Sequence, residues 1–185
     1  INVDQATYTA EPLPLNRVKN LSRTLSSASP AEHVASDSAI GPQAIQPGTW
    51  EAEVMLVTED VIQLDLASTT NFLRWVVSSN GQVSLSRRTY TCSAKETPIT
   101  TWYIDYCDGE TPWYESGNTQ IYTELEGQYY NDDFWDPNER TWTQHWIRIR
   151  GQNDGWFTYW WEYDMWGEFS SLLFIDLFVN GEQEG

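Results

Sequence analysis

Residues 141–166, TWTQHWIRIRGQNDGWFTYWWEYDMW, predict two β-strands joined by a turn at GQNDG. A two-residue turn would place Ile147 opposite Glu162 and mix apolar and charged side chains on one face of the hairpin. A five-residue loop instead pairs Ile149 with Phe157, so that apolar side chains meet across the strands. Because any odd loop length keeps this alternation, the hairpin has one apolar face and one mixed face.

The apolar face of this hairpin is predicted to pack into the protein core. Alternation of this kind is typical of a strand pair that buries one side. The face therefore includes a histidine that we expect to be a core residue. Its members are Thr143, His145, Ile147, Ile149, Phe157, Tyr159, Trp161 and Tyr163.

The opposite face of the hairpin combines aromatic rings with charges of both signs, and we take it as the candidate ligand or interface face. Arginine over tryptophan is a favourable cation–π arrangement. Three interpretations fit: a platform on which sugar rings stack, a protein interface enriched in Trp, Tyr and Arg, or a face covered by another part of the same chain. The face holds Trp142, Trp146, Arg148, Arg150, Trp156, Trp160, Glu162 and Asp164.

Outward from the hairpin, the sequence from Thr49 onward is predicted to be almost wholly β. Runs such as TWEAEVMLV alternate apolar and polar residues, and no segment has convincing helical periodicity. About eight such runs, separated by turn residues at intervals of roughly ten residues, are typical of all-β domains. The sequence therefore predicts an antiparallel β-sandwich or a barrel-like domain.

Turn dipeptides divide this region into strands. Asn80-Gly81 accepts the positive φ angles of a type I′ turn and predicts a hairpin, and Asp108-Gly109 predicts a second turn. The run VIQLDLAS, residues 61–68, alternates from its first residue and is expected to be a strand throughout. The last strand is expected to close the domain before Asn180-Gly181.

Residues 1–48 differ from the remainder of the chain, because they contain one aromatic residue, Tyr8, and are rich in Ser, Ala and Pro. A segment with so few large apolar side chains does not offset its own ordering entropy, so in isolation it should be disordered. We therefore divide the chain into an extended polar N-terminal arm, residues 1–48, and a β-rich globular domain, residues 49–185. We expect the arm to dock on its own domain or on a neighbouring one.

The chain is strongly acidic, with a formal net charge of −17 from 27 acidic and 10 basic residues. Nucleic-acid binding draws on clustered Lys and Arg through counterion release, so this charge argues against a nucleic-acid partner. It also argues against adhesion to anionic membrane surfaces. No apolar run approaches the roughly 20 residues of a membrane-spanning helix, and we expect no membrane span.

The chain contains two cysteines, Cys92 and Cys107. In an exported protein such a pair usually forms one disulfide, whereas in a cytosolic protein it would be two reduced thiols. The sequence begins INVDQATYT, without an initiator Met, which favours a processed mature N-terminus. We therefore expect an extracellular or periplasmic location and a disulfide between the two residues.

One segment offers candidate metal ligands, YYNDDFWDPNER at residues 129–140. Oxygen-bearing side chains of this kind are the ligands that Ca²⁺ prefers. The pattern lacks the central Gly and the Glu at the twelfth position of an EF-hand loop, and a solvated acidic turn has the same composition. No other cofactor is expected. The candidates are Asp132, Asp133, Asp136 and Asn138.

The sequence offers little support for catalysis. Its two histidines are His33 in the arm and His145 in the predicted core, and it contains no GxSxG, HExxH or glycine-rich nucleotide motif. We expect a protein that is not an enzyme. Among enzymes, a glycoside hydrolase would require the fewest specific residues, since two carboxylates are sufficient for its chemistry. Glu162 and Asp164, which share a face beside Trp160, are the candidate pair.

These features lead to two functional expectations. The first is a non-enzymatic exported structural protein that associates with itself or with another exported protein through the arm and the aromatic face, as in strand addition. The second is a carbohydrate-binding module that binds polysaccharide by stacking sugars on Trp142, Trp146, Trp156 and Trp160. Rings exposed in a monomer would favour the second, and rings covered by the arm of another copy would favour the first.

Overall fold

The computed structural model describes a strand at residues 4–9 and the ranges 44–96, 101–132 and 140–184. Within these residues nearly all regular structure is β, as the sequence predicts. Helical structure in the same ranges is limited to one 3₁₀ turn, Ser170–Leu172. None of the described residues forms a helix that is long and apolar enough to cross a membrane.

Eleven strands are present in the described residues, and nine of them are longer than three residues. Every pairing between them is antiparallel, which confirms the predicted fold class. The number exceeds the expected value of about eight because it includes two three-residue strands and a strand in the arm. The strands are β1 (Asp4–Thr9), β2 (Gly48–Asp60), β3 (Asp65–Val77), β4 (Val83–Ala94), β5 (Trp102–Gly109), β6 (Trp113–Glu115), β7 (Gln120–Asp132), β8 (Arg140–Gln152), β9 (Trp156–Trp166), β10 (Leu173–Val179) and β11 (Glu182–Glu184).

The strands form two open sheets that pack face to face. The six-stranded sheet has the order β1-β9-β8-β7-β5, with β6 also pairing with β7. The five-stranded sheet has the order β11-β10-β2-β3-β4. Because neither sheet closes on itself within the described residues, this region is a β-sandwich rather than a closed barrel.

One face of each sheet supplies the core. Along β7 and β8 buried residues alternate with half-buried ones, as a two-residue repeat requires. The larger apolar cluster includes Trp75 and Leu56 of the five-stranded sheet and Ile147 of the six-stranded sheet, all fully buried. A smaller cluster contains Trp102 and Tyr129.

The two cysteines form a disulfide, as expected. Cys92 lies in β4 and Cys107 in β5, and these strands are edges of different sheets. The bond therefore links the two sheets covalently on the side of the sandwich where β4 faces β5.

The Asn80-Gly81 prediction is correct for the hairpin and wrong for the turn type. Val77 pairs with Val83, and the Gly81 N–H donates to the Ser78 carbonyl oxygen (2.9 Å), so the loop is longer than two residues. Gly81 has a φ of 80°, whereas Asn80 does not have a positive φ. The Asn80 side chain instead accepts a hydrogen bond from the Ser78 hydroxyl, which holds a turn that needs only one left-handed residue.

The Asp108-Gly109 prediction is wrong, because β5 continues through both residues. Gly109 makes room for Arg88 of the opposite sheet, whose Nη1 donates to the Gly109 carbonyl oxygen (3.2 Å). Asn180-Gly181 forms a two-residue turn with the positive φ angles of type I′, 50° and 80°. This turn joins β10 to β11, so the sheet extends beyond the point where we expected it to close.

The expected strand at residues 61–68 begins later than predicted, at Asp65. Ile62 lies in the β2–β3 turn and is 71% exposed. Asp60 is responsible, since its Oδ1 accepts hydrogen bonds from two backbone N–H groups of the turn, both at 3.0 Å. The first residues of the alternating run therefore belong to a turn, which hydrogen bonds to the Asp60 side chain stabilise.

Within the N-terminal arm the structure describes β1 and residues 44–48. β1 pairs with β9 in a register that places Thr9 opposite Trp156. In the segment before β2, the Gln46 N–H donates to the Asn153 carbonyl oxygen (3.0 Å) in the β8–β9 loop. The division into arm and domain stays a prediction, because most of the arm, residues 10–43, lies outside the described residues.

Candidate functional site

The β8–β9 hairpin positions the candidate site. Pairing between the two strands ends at Gly151 and Phe157, so the loop has the expected five residues but lies one position later in the chain than predicted. In this loop Gly155 adopts a φ of 83°, and Asp154 Oδ1 accepts from the Trp156 N–H (3.0 Å). Ile149 therefore lies opposite Tyr159, two residues from its predicted partner. Because the shift is even, the division into a core face and an opposite face is confirmed.

The core face of the hairpin is buried as predicted. His145, Ile147 and Ile149 are fully buried in β8, and Phe157 is fully buried in β9. Trp161, further along β9, is half-buried and packs against the larger apolar cluster. This face therefore belongs to the interior and is excluded from the candidate site.

The opposite face is the outer surface of the six-stranded sheet, and it contains all eight predicted residues. Seven of them are half-buried, and Asp164 is exposed. Antiparallel pairing places residues of β7 beside those of β8 on this same surface. We call it the outer aromatic face; β7 contributes Tyr122, Glu124, Glu126, Gln128 and Tyr130 to it.

Glu124 organises the first of two clusters on this face. Its carboxylate accepts hydrogen bonds from Trp146 Nε1 (2.7 Å) and from Arg148 Nε (2.7 Å). The Arg148 guanidinium carbon lies 4.8 Å from the Trp146 ring centroid and 5.6 Å from that of Trp113. One arginine is thus held by a carboxylate and by two rings, so charge-assisted and cation–π interactions support each other.

Arg150 extends this cluster toward β9. Its guanidinium carbon lies 5.3 Å from the Trp160 ring centroid, and Nη2 donates to Thr158 Oγ1 (2.9 Å). Thr158 is fully buried although it lies on the outer face. The Arg150 Nε is also buried and has no hydrogen-bond partner among the described residues. The arginine is therefore fixed in place by its ring and hydroxyl contacts.

Trp142 belongs to a second cluster, a row of four rings that crosses β5, β7, β8 and β9. Neighbouring ring centroids in the row are 5.2, 5.1 and 5.7 Å apart. The end rings are 43% and 37% exposed. We call it the aromatic row; its members, in order, are Tyr103, Tyr130, Trp142 and Trp166.

Arg140 lies over this row. Its guanidinium carbon is 4.4 Å from the Tyr130 ring centroid and 5.9 Å from that of Trp142. It also forms an ion pair with Asp132 (2.7 Å). The face therefore repeats one motif in two places, an arginine held between rings and a carboxylate.

The rings of this face are covered in part by their neighbours. The planes of Trp142 and Trp166 are 5° apart, so each covers a face of the other. Arg148 and Arg150 lie over the rings of Trp146 and Trp160. Three of the four tryptophans expected to stack on sugars thus already have one ring face occupied by a protein group.

No protein-family model matches this chain, and no curated protein or solved structure shows significant similarity to it. Its function must therefore be inferred from the residues themselves.

Several residues of the face were not identified from the sequence, above all Glu124, Trp113, Tyr103 and Trp166. The alternation of QIYTELEG in β7 indicates that Glu124 shares a face with its second neighbours. It does not indicate which β8 residues lie opposite, since the connection between these strands is long. Only the β7–β8 register brings Glu124 to Arg148.

The described residues give little support to the predicted metal site or to the predicted catalytic pair. Asp132 pairs with Arg140, whereas Asp133, Asp136 and Asn138 lie outside the described ranges. In those ranges no three His, Cys, Asp or Glu residues are grouped as metal ligands. Of the suggested carboxylate pair, Glu162 lies opposite Trp146, and the exposed Asp164 accepts from the Met165 N–H (2.9 Å).

A cavity of about 190 Å³ lies elsewhere, between the ends of the two sheets. It is lined mostly by apolar side chains such as Leu66, Trp102 and Leu173, with Asn131 and Thr141 among its polar groups. None of the eight predicted residues lines it. The candidate site is therefore a sheet surface and not a cleft.

Proposed function

We propose that this chain is a non-enzymatic exported structural protein that assembles with copies of itself, or with another exported protein, by strand addition at β9. The observation that carries the proposal is the chemistry of WFTYWW, residues 156–161, the segment of β9 that pairs with β1 and would be a sheet edge without it. This segment contains no charge, no proline and no β-bulge. Charged residues, prolines and β-bulges are the features that usually protect an edge strand from pairing with another chain.

The other sheet edges in the described part of the chain have such protection. β4 carries Arg87 and Arg88 beside a shift in register, and β5 has a shift at Asp105. β11 is only three residues long. The first half of β9 is instead covered by β1, a strand that comes from the arm. This contrast supports β9 as the edge that accepts an added strand.

The length and position of the arm support pairing between copies as well as within one chain. β1 ends opposite Trp156, and Gln46 lies beside Asn153, so both described segments of the arm reach one corner of the domain. The sequence between Thr9 and residue 44 is long enough to span on the order of 100 Å when fully extended. The same strand can therefore reach the β9 edge of another copy and form the same backbone hydrogen bonds there.

The outer aromatic face supports the proposal through its composition. Trp, Tyr and Arg are the residues most enriched at the energetic centres of protein interfaces. The Arg148 and Trp146 donors are already paired with Glu124 within one chain. Covering them with a partner would leave them satisfied, which lowers the desolvation cost of an interface.

The disulfide supports the exported location. Such bonds persist in oxidising compartments and are rare in the cytosol.

Deletion of residues 1–43 tests the assembly function. We expect the full chain to form dimers or larger species in light scattering, and the shortened chain to be a folded monomer by circular dichroism. A full chain that is strictly monomeric up to millimolar concentration would overturn the proposal.

A cysteine-mixing experiment tests whether the arm pairs with a second copy. Gln5 and Trp160 are register partners, and both native cysteines are already bonded to each other. Chains carrying Gln5→Cys should form disulfide dimers when mixed with chains carrying Trp160→Cys. Mixing with Asp164→Cys is the control, because that position lies beyond the β1 register and should give no dimer. If only the double variant closes a bond, within one chain, self-assembly through the arm is excluded.

Carbohydrate binding is a second proposal, and the exposure of the aromatic row favours it. Trp166 ends the row and is 37% exposed, whereas Trp160 is half-buried beneath Arg150. We therefore expect sugar stacking at Trp166 rather than at Trp160. A pull-down on insoluble polysaccharide should be lost in Trp166→Ala and retained in Trp160→Ala; absence of binding by the unmodified chain would rule this function out.

A further inference from the structure

A chain of buried hydrogen-bonded side chains crosses the core between the two sheets. Its centre is His145 of β8, which is fully buried. The His145 Nε2 lies 2.7 Å from Thr58 Oγ1 in β2, and Nδ1 lies 3.0 Å from Thr69 Oγ1 in β3. Both ring nitrogens therefore contact hydroxyl groups of the opposite sheet.

The hydrogen bonds on the Nδ1 side have one consistent direction. Tyr129 donates its hydroxyl proton to the Ser68 carbonyl oxygen (2.6 Å). Because Tyr129 has no second proton, Thr69 Oγ1 must donate at its 2.6 Å contact with the Tyr129 oxygen. Thr69 has then used its own proton, so it accepts from His145, and His145 must carry its proton on Nδ1.

The direction continues on the Nε2 side. In a neutral imidazole with its proton on Nδ1, Nε2 is an acceptor, so Thr58 Oγ1 donates to it. Thr143 Oγ1 lies 3.0 Å from Thr58 Oγ1 and donates to it in turn. Every hydroxyl thus donates once, and the order is complete only while His145 is neutral.

We propose that this chain of hydrogen bonds is an acid-sensitive joint between the sheets, which holds the sandwich closed while His145 is neutral and opens it on protonation. A protonated ring would donate from Nε2 as well. Thr58 would then accept from the ring and turn its own proton to Thr143 Oγ1, so the Thr143 hydroxyl would lose Thr58 as the acceptor for its proton. A buried partly satisfied network of this kind is strongly destabilising.

No described residue facing His145 supplies a compensating charge. The groups that face it are Thr58 from β2, Thr69 from β3, Tyr129 from β7 and Tyr163, its partner in β9. Thr143 lies on its own strand. The nearest acidic residue along β2 is Glu59, which is also buried. It directly follows Thr58, and the β2–β10 register is unbroken there, so the two side chains lie on opposite faces of the strand. A proton on His145 would therefore be an unpaired charge in the core.

The direction of the pH effect follows from burial. Burial lowers the pKa of His145 to about 3, and burial also raises the pKa of Tyr129, so both rings are neutral near pH 7. In the opened state the imidazole regains a pKa of about 6.5. As the pH falls below 6.5, the opened state binds a proton that the closed state does not. The equilibrium constant for opening should then rise about tenfold per pH unit until roughly pH 3.

The tautomer can be measured on the unmodified chain. Nitrogen-15 NMR should show a one-bond N–H coupling at His145 Nδ1 and none at Nε2. Thr69→Val removes the acceptor for Nδ1–H, and we expect the proton to move to Nε2, where the Thr58 oxygen can accept it. A proton on Nε2 in the unmodified chain would overturn the inferred order.

The pH dependence is tested with His145→Gln, which keeps a polar side chain but does not titrate. Urea unfolding from pH 7.5 to 3.5 should show the unmodified chain losing stability relative to this variant, about tenfold in the unfolding constant per pH unit below 6.5. His33→Gln, which removes the other histidine of the chain, is the matched control and should follow the unmodified profile. Parallel profiles for the unmodified chain and His145→Gln would overturn the proposal. If His145→Gln does not fold, nitrogen-15 NMR of the unmodified chain replaces this comparison: the His145 ring of the folded chain should stay neutral down to pH 3.5. A ring that becomes protonated near pH 6.5 while the chain stays folded would overturn the proposal.

Discussion

Gly151 shows how closely the two sheets approach each other at a single residue. A Cβ at this position would lie 2.7–3.0 Å from three atoms of the Trp75 ring. Trp75 is fully buried, and its Nε1 donates to the Gln152 carbonyl oxygen (3.0 Å). Because the ring is fixed by packing and by this hydrogen bond, it has little room to move.

Gly151→Ala is therefore expected to lower the free energy of unfolding by about 1–3 kcal/mol, the usual cost of overpacking a core. Urea denaturation measures the change. Trp75→Phe makes space at the same place, so the double variant should be less destabilised than the sum of the two single variants. Strict additivity would show that the ring is not the cause.

Arg148 is the residue through which the outer aromatic face gains most of its internal order. Arg148→Met removes the charge and keeps much of the side-chain length, and should lower the free energy of unfolding by about 1–3 kcal/mol. Arg148→Lys should recover only part of this loss, because an ammonium group lacks the planar geometry of a guanidinium. Arg87→Met, at an exposed site in β4, is the control and should change stability by less than about 0.5 kcal/mol.

At the scale of elements, β4 and β5 meet as edges of different sheets and are joined by the disulfide. The two cysteines are 15 residues apart in sequence. In the chain-entropy model, a closed loop of that length contributes about 3 kcal/mol. The bond thus restricts the conformations of the unfolded chain, because Cys92 and Cys107 cannot separate.

Reduction is therefore expected to lower the free energy of unfolding by about 3 kcal/mol, seen as a lower urea midpoint. Amide exchange should rise first in β4 and β5, since these are the strands that the bond joins. A variant with both Cys92→Ala and Cys107→Ala should already be at the lower stability and should not respond to the reductant. A response of that variant would point to a different target.

The elements also show how far local sequence predicts this fold. Alternation identified the strands and the buried face of the β8–β9 hairpin, because a two-residue repeat is a local property of extended chain. Turn dipeptides were less reliable. The Asn80 side chain accepts a hydrogen bond from Ser78 within its loop, and Gly109 leaves space for the Arg88 side chain. Both conformations therefore depend on residues outside the dipeptide.

At the scale of the whole molecule, the dominant electrostatic property is the net charge of −17. Such an excess of like charge repels itself in the compact state, and salt screens this repulsion over about 10 Å at 0.1 M. The more exposed ion pairs, such as Arg140 with Asp132, are screened as well but contribute little each.

We therefore expect the urea midpoint to rise as NaCl increases from about 0.01 to 0.5 M. The physical reason is that screened repulsion outweighs the loss of a few surface ion pairs. Glucose at matched osmolality is the uncharged control for solute effects. A midpoint that falls with salt would mean that the ion pairs dominate instead.

The sequence by itself determined the all-β class, the core face of the hairpin and the pairing of Cys92 with Cys107, because each depends on local alternation or on composition. The tertiary structure decided which rings and charges are neighbours. Trp142 and Trp160 share one face in the sequence pattern, yet one joins the aromatic row and the other is covered by Arg150. Likewise, alternation places His145 in the core but does not indicate that Thr58 and Thr69 meet it there. The reason is physical: a two-residue repeat specifies the face of a strand, whereas register and sheet packing, set by long-range contacts, specify what lies beside each residue on that face.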